Sequence, residues 1–320
     1  MSRPGRPWLL TPQILALFGL LTSACSEGGL DPTGPDLEEP DVGEPDVPAI
    51  PIIAPVVGDT IWALDLRNRL LLLGSESLGT VSRISGIRGV TTLHRIVGFA
   101  VRPSDGRLYG VGNDSFLYVI DPHASQATRV GTGFEPLISL FFDTHFGMTF
   151  DSRTGKILLV SSESGVHWII DPESGEAEEG PTGRVVEGDP NQGATLHLAG
   201  LAFAPSGAAG SPIGWADAAA SRQSVPDCDD LLYAIDPDLG YVMGSCDPDE
   251  WDWQSLWEIP VLEMTRCTEA TFGEDGNLFV SILDVARGLN SLYTMDPESG
   301  ESEPLGDIPV DSPIQDFIFP

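Results

Sequence analysis

The 320-residue sequence predicts an all-β fold in which small sheets repeat around a closed ring. Three observations carry that expectation. Beyond Asp59, short apolar runs alternate with clusters of Gly, Pro, Asp and Ser, and no long stretch has the 3.6-residue periodicity of a helix. A strand-and-turn phrase recurs at separations of 50, 65 and 60 residues. A last apolar run, 314–320, closes the sequence, while three strand-like runs near residue 60 lack an inner partner.

The recurring phrase reads LYVIDPHAS (117–125), WIIDPESG (168–175), LYAIDPDLG (232–240) and LYTMDPESG (292–300). Its apolar half suits a buried strand. Asp can accept a hydrogen bond from a backbone N–H two residues on, Pro presets φ, and Gly takes the positive φ that closes the turn. Asp121, Asp171, Asp236 and Asp296 are therefore read as turn residues, not catalysts. A second phrase marks inner strands: GFAVRP (98–103), GMTFDS (147–152), GLAFAP (200–205), EATFGE (269–274) and QDFIFP (315–320).

Counting inner strands gives a propeller of five four-stranded blades: 60–87 with 314–320, then 97–132, 146–187, 198–262 and 269–308. In the first, TIWALDL, RLLLLGS and VSRISGI wait for the terminal strand, and that closure removes exposed sheet edges. In the fourth, LYAIDPDLG joins the second and third strands, LWEIPVL (256–262) is the outer strand and 207–229 is an insertion. A sixth blade is the alternative, if 241–268 hold a poorly marked sheet.

The phrases resemble propeller repeats in general. More closely, FAVRPSDGRLYGVGNDSFLYVIDPHAS (99–125), the stretch 146–175 and GDPNQG (188–193) resemble an uncharacterised family of exported bacterial propeller-like domains. That resemblance, over about residues 97–320, implies the fold and export and carries no activity.

Ahead of the ring, Arg3 and Arg6 precede an apolar run from Trp8 to Leu21 and then Thr22-Ser23-Ala24-Cys25. This pattern is an export signal, 1–24, too short and too Pro-broken to span a bilayer. Cys after Ser-Ala resembles the lipobox of bacterial lipoproteins, which implies lipid attachment at Cys25. Ser26 in place of Asp implies the outer membrane. Residues 26–58 are acidic and Pro-rich, an extended spacer that reaches up to about 100 Å at roughly 3.1 Å per residue.

Forty-eight acidic residues against 16 basic ones give a net charge of −32, which argues against a nucleic-acid partner and against unaided adsorption to anionic lipid. At 41% apolar residues the chain is far from disordered overall.

Three constellations bear on chemistry. Cys228 and Cys246 flank a hairpin and are the favoured disulfide, with Cys246–Cys267 the alternative; no Cys-x-x-Cys or adjacent His suggests a metal. Asp227, Asp229, Asp230, Asp247, Asp249, Glu250 and Asp252 make calcium possible, but their spacing matches no calcium loop, so a solvated surface is favoured. Trp251, Trp253 and Trp257 are expected to pack beneath a loop more readily than to form a binding platform. Finally, folding the ring brings Arg95 (with His94 beside it), His145, His197, Arg266, Glu269 and Asp316 to one mouth of the central channel, a candidate ligand site.

The leading reading is a lipid-anchored envelope propeller that binds a small molecule or partner protein, with no catalysis assigned. The alternative is an envelope enzyme that uses the channel-mouth His and Arg with a metal or quinone cofactor.

Overall fold

In the computed structural model, residues 60–74, 77–134, 144–163, 165–204, 231–259, 265–273, 276–284, 289–297 and 299–319 are described. All of them lie within one unit, Pro45–Pro320. Segment 1–24, Cys25, the spacer to residue 58 and the insertion 207–229 fall outside the described residues.

The described chain forms β1 (Thr60–Asp65), β2 (Arg69–Gly74) and β3 (Ser77–Gly86), then β4 (Ile96–Val101), β5 (Leu108–Gly112), β6 (Leu117–Asp121) and β7 (Gln126–Val130). Next come β8 (Phe146–Phe150), β9 (Ile157–Ser161), β10 (His167–Ile170), β11 (Ala177–Glu179) and the two-residue β12 (Arg184–Val185). Blade four is built from β13 (Ala199–Phe203), β14 (Leu232–Asp236), β15 (Tyr241–Ser245) and β16 (Asp252–Glu258). Blade five holds β17 (Thr265–Phe272), β18 (Leu278–Asp284), β19 (Leu289–Met295) and β20 (Ser302–Ile308), and β21 (Ile314–Ile318) comes last.

These strands make five antiparallel blades, and β21 is the inner strand of blade one, in the order β21-β1-β2-β3. Trp62 lies opposite Ile318 and Leu64 opposite Asp316. The inner strands touch in a closed cycle, β21 to β4 to β8 to β13 to β17 and back to β21. Five blades are therefore correct and six are not: residues 241–258 supply only the outer half of blade four.

Two boundaries differ from expectation. The outer strand of blade four is 252–258, four residues earlier than LWEIPVL, because Trp253 packs into the seam with blade three and Trp257 into the seam with blade five, which keeps both in the blade. Residues 184–185 leave blade three and run parallel to β16 as a fifth strand of blade four, with Arg184 opposite Asp252.

The core consists of five apolar seams, one between each pair of neighbouring blades. The two-residue period of a strand produces this division. Along β1, Trp62 and Leu64 pack toward blade two while Ile61 and Ala63 pack toward blade five. Both faces of each inner strand pair are thus covered. Runs such as LLLL (70–73) and ILLV (157–160) are therefore continuously apolar instead of alternating. Outer strands escape this requirement, and AEE of β11 is largely exposed.

The Asp-Pro turns form as the sequence predicts. Asp121 Oδ1 accepts from the N–H groups of His123 (2.8 Å) and Ala124 (2.9 Å), and Asp171 Oδ1 from Glu173 (2.9 Å) and Ser174 (3.0 Å). Gly175, Gly240 and Gly300 close their turns at φ of 71–73°, and Ser125 takes the same role at 50°.

Candidate functional site

All inner strands run the same way, so the ring has a rim where they start and a rim where they end. Arg95, His145 and His197 sit at the start rim, each just ahead of β4, β8 or β13, as the repeat implies. Loop bonds hold them there. The Arg95 N–H donates to Asn113 Oδ1 (2.9 Å), and the His94 ring meets the same oxygen at 3.1 Å. The His145 N–H donates to Ser162 Oγ (2.9 Å), while His197 Nδ1 lies 2.7 Å from the Ser162 carbonyl oxygen. Ser162 thus links the two histidines. The His197 N–H also donates to Asp236 Oδ2 (2.8 Å), which ties this rim to an Asp-Pro turn. Burial pushes the Arg95 guanidinium below its usual pKa, and no carboxylate pairs with it among the described residues. Arg266 lies in the first turn of pairing of β17, opposite Leu283, which also places its backbone at this rim.

Glu269 and Asp316 do not join that mouth. They lie inside β17 and β21, each 1% exposed, at mid-height on the axis. The reason is local. β17 begins at Thr265 and β21 at Ile314, so each acid falls inside its strand, just past a one-residue bulge of the kind that β4 and β13 also carry. The acids then meet inner-edge N–H groups that no strand can satisfy. Glu269 Oε1 accepts from Leu201 (3.1 Å) and Ala270 (3.0 Å), and Asp316 Oδ2 from Phe99 (2.6 Å). Gln315 Nε2 donates to the carbonyls of Ile96 (3.3 Å) and Val97 (2.7 Å).

Glycine makes room for these side chains. A Cβ on Gly200 would lie 3.1 Å from Glu269 Oε1 and 2.6 Å from the Ala270 nitrogen, and one on Gly147 would lie 2.6 Å from the Gly200 backbone. The inner-strand phrases begin with Gly98, Gly147 and Gly200 in blades two to four and carry Glu269 and Asp316 in blades five and one. Three empty positions accommodate two carboxyls. At 1–3% exposure, Glu269, Gln315 and Asp316 close the axis, since residues lining an open channel would be wet.

The two carboxyls are in hydrogen-bonding contact with each other, and both are pushed well above the usual carboxylate pKa. Desolvation is the larger cause in each case, and for Glu269 the neighbouring Asp316 charge adds to it. A shared proton is the economical state of such a pair.

Beyond the acids the axis widens into a cavity of about 330 Å³ that opens at the end rim. Glu269, Asp316, Met148 and Leu201 belong to its deep end. Its outer walls carry Phe150, Phe203, Phe272 and Phe319 with the hydroxyls of Thr149 and Thr271. Sequence reasoning placed the site at the other rim and missed these walls. Four of the five inner-strand phrases have a phenylalanine near their end, and that recurrence was the signal.

The remaining constellations resolve individually. Trp251 and Trp253 are fully buried and Trp257 is 7% exposed, so they pack and form no platform. Trp251 stacks on His167 with ring centroids 3.6 Å apart, and burial lowers the His167 pKa to about 4. Asp247 Oδ1 caps its own turn by accepting from Asp249 (3.0 Å), and Asp252 pairs with Arg184. Asp227, Asp229 and Asp230 lie outside the described residues. Among the described residues no group of three or more His, Cys, Asp or Glu side chains is placed to hold a metal ion. Cys246 follows β15 toward the end rim, whereas the backbone of Cys267 pairs with Ile282 toward the start rim. Cys228 lies outside the described residues.

Against known proteins, residues 69–212 match the family model described as a domain of unknown function, DUF4394. No curated protein matches. Among solved structures, the chain is similar to one in a crystal structure of a nidogen/laminin complex, at 12% identity over 82% of this chain and 98% of that one, with a TM-score of 0.48. It is also similar to a structural genomics protein of unknown function from Bacteroides thetaiotaomicron VPI-5482, at 13% identity over 82% and 64%, with a TM-score of 0.43. A third similarity is to regucalcin, a calcium-binding protein from Agrobacterium tumefaciens str. C58, at 11% identity over 79% and 72%, with a TM-score of 0.41.

Proposed function

We propose that this chain is a lipid-anchored protein of the bacterial envelope whose propeller binds a small ligand, or a side chain of a partner protein, in the axial pocket, without catalysis. One observation carries the binding part. The axis ends in a cavity of about 330 Å³, within the size range of small-molecule sites, with phenylalanine rings and threonine hydroxyls on its walls and two carboxyls at its floor. The family model that matches adds no activity.

The anchor rests on the sequence: Arg3 and Arg6, the run to Leu21, Cys25 after Ser-Ala, and Ser26, which favours the outer membrane. Two or more acyl chains hold firmly where one holds marginally, at about 0.8 kcal/mol per buried methylene. The acidic segment 26–58 then acts as a spacer between lipid and ring. A Cys228–Cys246 bridge is proposed for the base of the insertion. It is supported by the disulfide-bonded state of Cys246 and by the location of Cys267 toward the other rim.

Two measurements test this reading. Full-chain wild type and Thr271→Trp, which fills the pocket from its wall, are purified from envelopes, and co-purifying small molecules and proteins are compared by mass spectrometry. The expected result is a species retained by wild type and lost from the variant, while an identical set from both removes the pocket as the binding site. Cys25→Ser is expected to move the protein from the membrane fraction to the soluble one. Continued fractionation with membranes refutes the lipid anchor.

A further inference from the structure

The floor of the pocket is a pair of buried carboxyls that no cation meets among the described residues. Glu269 Oε1 takes two backbone N–H groups, and apart from the proton the pair shares, Glu269 Oε2 accepts from no donor among the described residues although the side chain is 99% buried. Asp316 beside it satisfies Phe99 and faces the same cavity. These are the only ionisable side chains in the described lining, and no Lys, Arg or His accompanies them.

We propose that the axial pocket is a receptor site for an organic ammonium, a protonated primary amine on an apolar stem whose N–H groups donate to the carboxyl pair of Glu269 and Asp316. The proposal rests on the axial-pocket reading above and names the ligand class for it.

Four arguments separate this class from its competitors. An anionic ligand would meet two acids with no counter-charge. A ligand without a donor would gain nothing from either carboxyl and would only bury the pair further from water. A hard divalent cation takes six to eight oxygens, and the floor offers two carboxyls with oxygens already engaged by backbone N–H groups. An ammonium, by contrast, brings up to three donors on one atom, and its stem matches walls that include Phe203, Phe272 and Phe319. Aromatic faces also tolerate a nearby cation. The net charge of −32 raises the local concentration of cations at the mouth.

Binding has a defined proton balance. In the free protein the pair holds a proton. The incoming ammonium supplies the positive charge that this proton supplied, the second carboxyl ionises, and the proton leaves to solvent.

The test is calorimetry on the full chain at pH 7.5 with phenethylamine, its alcohol counterpart 2-phenylethanol, and calcium chloride. One-to-one binding of the amine is expected, at least tenfold tighter than the alcohol and undiminished by millimolar calcium. Repeating the titration in buffers of different ionisation heat is expected to show proton release. Glu269→Gln, whose folding is checked by its unfolding transition, is expected to weaken the amine at least tenfold. Equal affinity for the alcohol, displacement by calcium, absence of amine binding, or unchanged affinity in Glu269→Gln each overturns the ammonium assignment. Alcohol binding that is lost in Thr271→Trp would keep the pocket as a binding site of another class. Amine binding that persists in Thr271→Trp removes the pocket itself.

Discussion

The two rims of the ring are made by the same five strands and hold their polar groups in different ways. At the start rim, polar side chains are numerous and the contacts they make are local: Ser162 holds both histidines, and Asn113 holds the Arg95 backbone and the His94 ring. At the end rim, the charged side chains of the turns after β4 and β8 pair with one another or with a neighbouring turn, as Arg153 does with Asp151 and Arg102 with Glu173, while two carboxyls lie unpaired by any cation at the bottom of the axial cavity. Both rims therefore carry charge, and what sets the second apart is a pair of carboxyls with no counter-ion among the described residues. The difference teaches that a functional surface in a repeat fold is marked less by the polar residues present than by what they lack.

Both rims depend on closure, and breaking it has the largest expected effect. β21 contributes Ile314 and Phe317 to the seam between blades five and one and Ile318 to the seam between blades one and two. Deleting Pro313–Pro320 strips two of the five seams and exposes the edge of β1. The cooperative thermal transition is expected to be lost outright. A variant that melts like wild type would contradict the ring.

A smaller effect, with a diagnostic sign, distinguishes the pocket floor from the buried seams. Glu269 and Asp316 hold their proton more tightly when folded than when unfolded, so the native state binds more protons above the unfolded carboxylate range. Their contribution is complete at acid pH and is lost as pH rises toward the folded values. His167, stacked on Trp251 between blades three and four, behaves in the opposite way. Its folded pKa of about 4 against 6.5 means that the unfolded state gains the proton first, and stability falls as pH drops from 6.5 to 4. At about 1.4 kcal/mol per pKa unit this is on the order of 3 kcal/mol. Urea midpoints measured from pH 4 to 9 test both. Glu269→Gln is expected to flatten the alkaline limb, and His167→Phe the acid limb. If each variant kept the wild-type slope, neither group would be titrating out of step with the unfolded chain.

How much of this was legible in the sequence follows the same division. The ring, its five blades and its closure could be read because Asp-Pro-x-x-Gly turns are local chemistry that repeats, and even Ser125, standing where Gly is usual, keeps the turn conformation. The seams followed from the two-residue period. The exchange of β12 into blade four was not legible, since a parallel pairing of two residues leaves no pattern. For the site, the rim positions of Arg95, His145 and His197 were readable, but the depth of Glu269 and Asp316 was not. β17 begins at Thr265, four residues ahead of EATFGE, and β21 at Ile314, so both acids fall inside their strands, and nothing in the phrases announces those earlier starts. Gly98, Gly147 and Gly200 at the head of the other phrases did hint that those positions meet at close quarters.

The smallest expected effect tests the polar rim directly. In His145→Ala with His197→Ala, the ring of His197 loses its 2.7 Å contact with the Ser162 carbonyl, while the backbone bonds from His145 to Ser162 and from His197 to Asp236 remain. Both rings make contacts, each worth about 1 kcal/mol at partly exposed sites, so the loss of stability is expected to be on the order of 2 kcal/mol. Amine binding at the opposite rim is expected to be unchanged, because the closed axis at Glu269, Gln315 and Asp316 lies between the two. A double variant that retains its fold but loses the ligand would connect the rims. The envelope-enzyme reading, with its His and Arg mouth, would then stand ahead of the pocket.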